Sequence, residues 1–475
     1  MRKTKIVATV GPASDSDEKL EELFEAGVDV MRFNFSHVDQ ESHGEVFDRV
    51  KELDLDVATM LDTQGPEIRL GEVEEGTQLV QGSDVVLTSE KITGNSEKLF
   101  VNHEGFEDNV SEGDMVLIDD GQIELRAVSH EDEGVRCRIV YGGPVSSRKS
   151  VNVPGREVGL KAPTEKDKKD IEYGAEKGFD FVSASFVKSA EDVREIRRII
   201  KSHDSDMKII SKVEHFSAVQ DIDEIIEASD GVMIARGDLG VETPASELPL
   251  LQKKIIKKCN RAAIPVITAT QMLKSMTEHP RATRAETSDV ANAVLDGTDA
   301  VMLSEETAVG SFPVKSVEYM SEIISTVEKN FDGEVFHTVK TPTDTITESI
   351  CKSVWQTSRE LDASYIVAHT ASGHTARHVS KYRPETPIMA FTNSPKVEKQ
   401  LKVVWGVDPV LNEFKPHFQD LIIDSSRYLE EEFMLEDEEK VVFTAGVPEA
   451  IQGNTNIMEI RRLEDIREEE RKREK

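Results

Sequence analysis

Eight times along this chain an apolar run of strand length turns polar at its carboxyl end, and a segment with helical spacing follows. The runs are KIVATV from Lys5, VDVMRFNFSH, VATMLD, FDFVSASF, MKIISKVEH, GVMIARGD, IPVITATQM and DAVMLSEET. Near-continuous apolar strands joined by helices read as buried parallel strands with crossover connections. Eight such units predict an α/β fold built on a (β/α)8 TIM barrel, with polar residues gathered at its catalytic face. The stretch Met207–Gly240 constrains the site most. Between KII and GVMIA, VQDIDEIIEASD places Val219, Ile222, Ile225 and Ile226 on one helical face. The two strands end in Ser211-Lys212-Val213-Glu214 and Arg236-Gly237-Asp238. Lys212, Glu214 and Asp238 therefore sit at the carboxyl ends of neighbouring strands. Two carboxylates and an ammonium suit a divalent metal holding an anionic substrate, and a salt-bridged rim would use the same residues.

The repeat opens with a strand at Lys5–Val10 and a helix from Asp17, whose buried face carries Leu20, Leu23 and Phe24 and which stops at Gly27. A second helix covers about 42–53. The barrel is expected over residues 1–70 and 156–337. Between them, 71–155 is rich in Gly, Val, Thr and Glu, with short alternating runs and turn residues. That text predicts a small inserted β-barrel of hairpins, hung on two crossings over the barrel mouth as a lid. After the Thr/Pro linker TVKTPTDTIT, helix and strand alternate over 345–475, which predicts an open α/β sheet. The last residues, RRLEDIREEERKREK, read as a solvated helix or frayed end.

The 475 residues carry 91 Asp+Glu against 58 Lys+Arg, a formal charge of −33 spread along the chain. So acidic a surface argues against nucleic acid or an anionic membrane as partner. At about 1 M salt the Debye length falls to roughly 3 Å and the self-repulsion is largely screened, so adaptation to a salty, halophilic cytoplasm is expected. Cys137, Cys259 and Cys351 have no metal or redox spacing and fit a reducing compartment. The apolar run of MRKTKIVATVGP is too short for a signal peptide, and no run reaches the roughly 18 residues of a membrane span. A cytoplasmic location is expected.

The segments MRFNFSH, LDTQGPEIR, SKVEH, MIARGDLGVE, TATQMLKSM and SDVANAVLDGTDAVMLSEET resemble, in that order, the signature segments of the pyruvate kinase family. The resemblance runs from residue 3 to about 460 and includes the inserted β domain. It implies phosphoryl transfer from phosphoenolpyruvate to ADP, in a homotetramer. Two other readings are a barrel lyase acting on pyruvate enolates and an inactive metabolite-binding paralogue; the first needs no lid, and the second predicts loss of residues that are present.

Carried over by position, the resemblance makes Glu214 and Asp238 ligands of Mg²⁺ or Mn²⁺. Lys212 and Arg32 would stabilise the phosphoryl group in flight. Ala235, Gly237 and Asp238, with Thr270, would receive the substrate carboxylate at a helix start. Thr270 and Ser304 would serve a proton relay to the enolate. Asn34, Ser36, Asp62 and Thr63 would hold K⁺, and Glu67 goes with a K⁺ requirement in that family. Pro12, Arg32, Asn34, His37, Arg69 and Lys149 match nucleotide-contacting positions. Gln64 stands where most members have Lys, and Glu305 where most have a small residue. The loop Thr370, Ser372, Gly373 and Thr375 matches an effector cradle, but FTAGVPEAIQGNTNIMEI lacks the Trp and Arg that go with fructose 1,6-bisphosphate regulation.

Overall fold

The computed structural model describes residues 2–36, 38–156, 161–330, 345–413, 415, 417–446 and 455–473. Eight parallel strands close into a barrel: β1 (Lys5–Val10), β2 (Val30–Asn34) and β3 (Ala58–Asp62) on one side of the insertion. After it come β12 (Phe181–Ala184), β13 (Lys208–Val213), β14 (Gly231–Ala235), β15 (Val266–Ala269) and β16 (Ala300–Leu303). The eight expected strands are these eight. β3 pairs directly with β12, so the insertion leaves the barrel unbroken.

Alternation along each strand sorts the side chains. In β1, Ile6, Ala8 and Val10 join the core beneath the helices, while Val7 belongs to a second cluster with Val30, Met60, Ile210, Met233 and Ile267. That second cluster continues into Val354, Ile366 and Val442 of the C-terminal domain, so one apolar core runs on from barrel to domain. Arg383 seals the junction, donating to Asp299 Oδ1 (2.9 Å), Asn260 Oδ1 (2.8 Å) and the Gly297 carbonyl (2.8 Å).

The first helix, Asp17–Glu25, starts on Ser16, whose hydroxyl accepts from the Lys19 amide, and the chain turns at Gly27 with φ +109°. The second spans Gln40–Glu52. The helix expected between β13 and β14 is two short ones, Phe216–Gln220 and Ile222–Ala228, meeting at Asp221. Ile222, Ile225 and Ile226 are buried as the spacing predicts, while Val219 is half-buried.

The insertion holds β4 (Gln78–Leu79), β5 (Asp84–Thr88), β6 (Lys98–Phe100), β7 (Met115–Ile118), β8 (Ile123–Glu131), β9 (Gly134–Tyr141), β10 (Gly143–Pro144) and β11 (Val151–Asn152). Six of them form a curled sheet in the order β11-β7-β8-β9-β5-β6, and β10 pairs with β4. They enclose their own core of Leu87, Leu99, Val116, Leu125 and Ile139. The C-terminal sheet runs β19-β18-β17-β20-β21, from β17 (Tyr365–His369), β18 (Ile388–Thr392), β19 (Val407–Leu411), β20 (Lys440–Ala445) and β21 (Ile457–Arg462). Its last strand is antiparallel. The expected solvated end is the helix Leu463–Arg473, which buries Leu463 and Ile466. The expected Thr/Pro linker lies largely outside the described residues. Among the described residues no helix is long and apolar enough to cross a membrane.

Candidate active site

The parallel register delivers the polar strand ends to one mouth. Arg32 pairs in register with Thr9 of β1, and Asn34 with Asp62 of β3. Asp62 is 1 % exposed and holds two cations: Oδ2 accepts from Arg32 Nε at 2.6 Å, and Oδ1 from Lys212 Nζ at 3.1 Å. Lys212 also donates to Ser185 Oγ at 2.7 Å and lies 2.9 Å from Glu214 Oε1. Arg32 Nη1 donates to Thr9 Oγ1 at 2.8 Å. Burial works against the Lys212 charge, but Asp62 and Glu214 outweigh it and hold the ammonium above its ordinary pKa. Burial likewise opposes ionisation of Asp62, and Arg32 and Lys212 override it, leaving that carboxyl below its ordinary value.

Glu214 is fixed from behind, its Oε2 accepting from the Phe186 amide at 2.7 Å. Phe186 itself takes φ +53°, a left-handed turn directly after the polar end of β12. Asp238 lies in the first turn of the helix Arg236–Glu242. Burial and the nearby Glu214 carboxylate push its pKa up to about 7. Even with Lys212 beside Glu214, burial and the neighbouring carboxylate leave Asp238 resisting ionisation, and a divalent cation on hard oxygen ligands would relieve that repulsion. Among the described residues no group of three or more His, Cys, Asp and Glu is arranged to hold a metal.

Thr270 carries φ +67° and Gln271 φ +56°, a strained turn at the end of β15. This turn aims the Thr270 hydroxyl at Gly237, whose amide donates to it at 2.8 Å, while the hydroxyl donates to the Ala269 carbonyl at 2.7 Å. The Gly237 amide, expected free for an anion, is thus already taken. A β-carbon on Gly237 would point at the same hydroxyl, 3.7 Å away. Arg236 turns away from the mouth, to Asp289 (2.7 Å) and the Thr270 carbonyl (2.8 Å). Ser304 caps the helix Glu305–Ala308, and its amide donates to the buried Glu306 at 2.8 Å.

A cleft of about 840 Å³ opens between the barrel mouth and the inserted domain, lined by Ser36, Gln64, Arg69, Lys91, Asn102 and Arg148 among others. Arg69 reaches Glu67 at 2.7 Å and the Arg148 carbonyl at 2.7 Å. Lys149 pairs with Asp119 within the inserted domain at 2.9 Å.

The family profile described as "Pyruvate kinase, barrel domain" matches residues 1–317, and "Pyruvate kinase, alpha/beta domain" matches 348–461. The chain belongs to the pyruvate kinase family. It is 45 % identical to the pyruvate kinase of Geobacillus stearothermophilus and 43 % to that of Bacillus licheniformis, in each case over 98 % of this chain and 81 % of the relative. A crystal structure of a pyruvate kinase from Cryptosporidium parvum superposes with a TM-score of 0.92 at 37 % identity, covering 97 % of this chain and 96 % of that one.

Against that family pattern, Arg32, Asp62, Ser185, Lys212 and Glu214 form one contiguous network. Thr63 accepts from the Ser185 amide at 3.0 Å, and Asn34 Oδ1 from the Ser36 amide at 3.2 Å, so the four expected K⁺ ligands line the ends of β2 and β3. Pro12 is exposed just beyond β1, and His37 lies outside the described residues. Glu305 is exposed and pairs with Lys274, away from the network.

In the C-terminal loop, Gly373 at φ +76° starts the helix His374–Ser380, with Thr370 half-buried and Ser372 exposed. Thr375 turns inward to Thr455 at 2.9 Å. Sequence reasoning missed Thr9, Ser185 and Glu306. The second serine of FDFVSASF, at the carboxyl end of the run, was the available signal for Ser185.

Proposed function

We propose that this chain transfers the phosphoryl group of phosphoenolpyruvate to ADP, giving ATP and pyruvate, the last step of glycolysis. The observation that carries the reading is the buried Lys212 ammonium, held by Asp62 and Ser185 beside the Glu214–Asp238 carboxylates. In the reaction the bond from phosphorus to the enol oxygen breaks, and its electrons stay on that oxygen. A new bond forms from phosphorus to a terminal oxygen of ADP, and the enolate then takes a proton at its methylene carbon.

Phosphoryl transfer asks mainly for positioning and fixed positive charge. Lys212 supplies a charge that is fully formed and cannot swing away, because Asp62 and Ser185 hold it. Arg32 is fixed by Asp62 and Thr9 on the same wall and would face the transferring oxygens. Glu214 and Asp238 would hold Mg²⁺ or Mn²⁺, which would supply Lewis-acid stabilisation of the negative charge that develops during transfer. Thr270 holds the start of the helix Arg236–Glu242 through the Gly237 amide, so for Ala235 and Gly237 to receive the substrate carboxylate the Gly237 amide would have to exchange its bond to Thr270 for one to the substrate. To pass a proton toward the enolate, Thr270 would exchange its bond to Ala269 for one to water, with Ser304 completing the relay.

Asn34, Ser36, Asp62 and Thr63 would bind K⁺. Pro12, Arg32, Asn34, His37, Arg69 and Lys149 would contact ADP, which the cleft under the inserted domain has room to admit. The loop Thr370, Ser372, Gly373 and Thr375 would take a phosphorylated effector. We place the working enzyme in a salty cytoplasm as a homotetramer.

The direct test is incubation with phosphoenolpyruvate, ADP, Mg²⁺ and KCl. ATP and pyruvate should appear in equal amounts, and excess chelator should stop both. Pyruvate without ATP, or no turnover from folded protein, would overturn the reading.

A further inference from the structure

The two crossings between barrel and inserted domain run side by side. Leu70 donates to the Lys149 carbonyl at 2.8 Å, Val151 to the Ile68 carbonyl at 2.9 Å, and Arg69 bridges antiparallel to Ser150. This two-stranded ribbon is the connection on which the inserted domain would hinge. Just beyond it, the outgoing segment meets the barrel at Glu242: Asn152 Nδ2 donates to Glu242 Oε1 at 3.3 Å, and the Gly155 backbone amide also faces that carboxyl group.

Glu242 is an unusual partner. It is 9 % exposed, its Oε2 is buried without a hydrogen bond, and that oxygen lies 3.6 Å from His215 Nε2. A buried carboxylate with one bare oxygen is costly unless its position serves something. Glu242 ends the helix that begins at Arg236, one turn beyond Asp238 on the same face. His215 directly follows Glu214. A narrow space lined by Glu67, Asn152, His215, Asp238 and Glu242 joins these groups. One side chain thus touches the outgoing strand of the inserted domain, meets His215 and lines one space with Asp238.

We propose that Glu242 is a positioning residue that couples the setting of the inserted domain, through Asn152, to the helix that carries Asp238. When the inserted domain swings in, Asn152 pulls on Glu242 and sets Asp238; when the contact is lost, hinge and helix move independently. This rests on the phosphotransferase reading for its kinetic consequences, whereas the mechanical link between Asn152 and Glu242 does not.

The test uses the full-length chain and the variants Glu242→Ala, Asn152→Ala, the double variant and Glu242→Gln, whose amide oxygen can still accept from Asn152. Backbone amide exchange over 68–70 and 149–152 is measured in each, with kcat and KM for ADP and phosphoenolpyruvate. The Ala variants should each speed hinge exchange about tenfold or more and lower kcat several-fold. The double variant should be no worse than either single, the mark of one shared interaction. Glu242→Gln should stay within about threefold of wild type on both readouts. If Glu242→Ala does not fold, Asn152→Ala carries the test alone. Unchanged hinge exchange in either Ala variant, or a double variant whose losses multiply, would overturn the coupling. Faster hinge exchange in the Ala variants of a protein whose wild type shows no turnover would keep the coupling and overturn the phosphotransferase reading.

Discussion

Asp62 and Lys212 meet at 3.1 Å at the barrel mouth, across the end of the intervening strand β12, and the other oxygen of Asp62 is 2.6 Å from Arg32. One buried carboxylate therefore fixes both cations of the proposed transfer site. Asp62→Asn keeps the shape and removes the charge, leaving Arg32 and Lys212 to repel each other. Breaking a buried ion pair from one side costs about 3–5 kcal/mol. Denaturant unfolding of Asp62→Asn should show a loss toward that range, with turnover down at least 100-fold. A variant as stable and active as wild type would mean that the two cations are held by other means.

As a proposed metal ligand, Asp238 would tie metal binding to pH. Burial and Glu214 raise its pKa from the ordinary 3.8 to about 7, so between those values the folded carboxyl keeps a proton that the unfolded one has lost. This group's contribution to stability therefore falls as pH rises from about 4 to about 7, and the penalty is complete above. A metal must displace that proton. Titration calorimetry should find Mg²⁺ affinity falling up to about tenfold per pH unit below 7 and nearly flat above 8. Equal affinity at pH 5.5 and 8 would contradict it.

Lys212, Glu214 and Asp238 were legible because a buried strand that suddenly turns polar must present those groups at its end. The barrel itself was legible for the same reason, from eight repetitions of one pattern. What stayed hidden depends on neighbours in space. Ser185 and Thr9 sit inside or beside apolar runs and gain meaning only from Lys212 and Arg32 on adjacent strands. Glu242 and Asn152 are 90 residues apart, and no local pattern joins them. The strand Val407–Leu411 carries Asp408 and Pro409, which weaken its strand signal; Pro409 is tolerated because β19 is an edge. The helix between β13 and β14 breaks at Asp221, although its apolar spacing runs on without interruption.

Glu67 pairs with Arg69 at 2.7 Å and supplies no positive charge near the ends of β2 and β3. Turnover should therefore need K⁺ and be weak in NaCl, and Glu67→Lys should raise the NaCl rate several-fold. With a formal charge of −33, the rate in KCl should also climb from about 0.1 M toward molar salt as repulsion is screened. Equal rates in the two salts would remove the cation site from the account.

The central claim is that the Lys212 ammonium stabilises the phosphoryl group in flight. The decisive measurement compares wild type with Lys212→Met in two assays: equilibrium binding of phosphoenolpyruvate with Mg²⁺, and single-turnover transfer to ADP. Removing a fixed charge that acts mainly in the transition state should leave binding within a few-fold and slow transfer by about 10²–10³ or more. Transfer at near wild-type rate in a folded Lys212→Met variant would contradict the account.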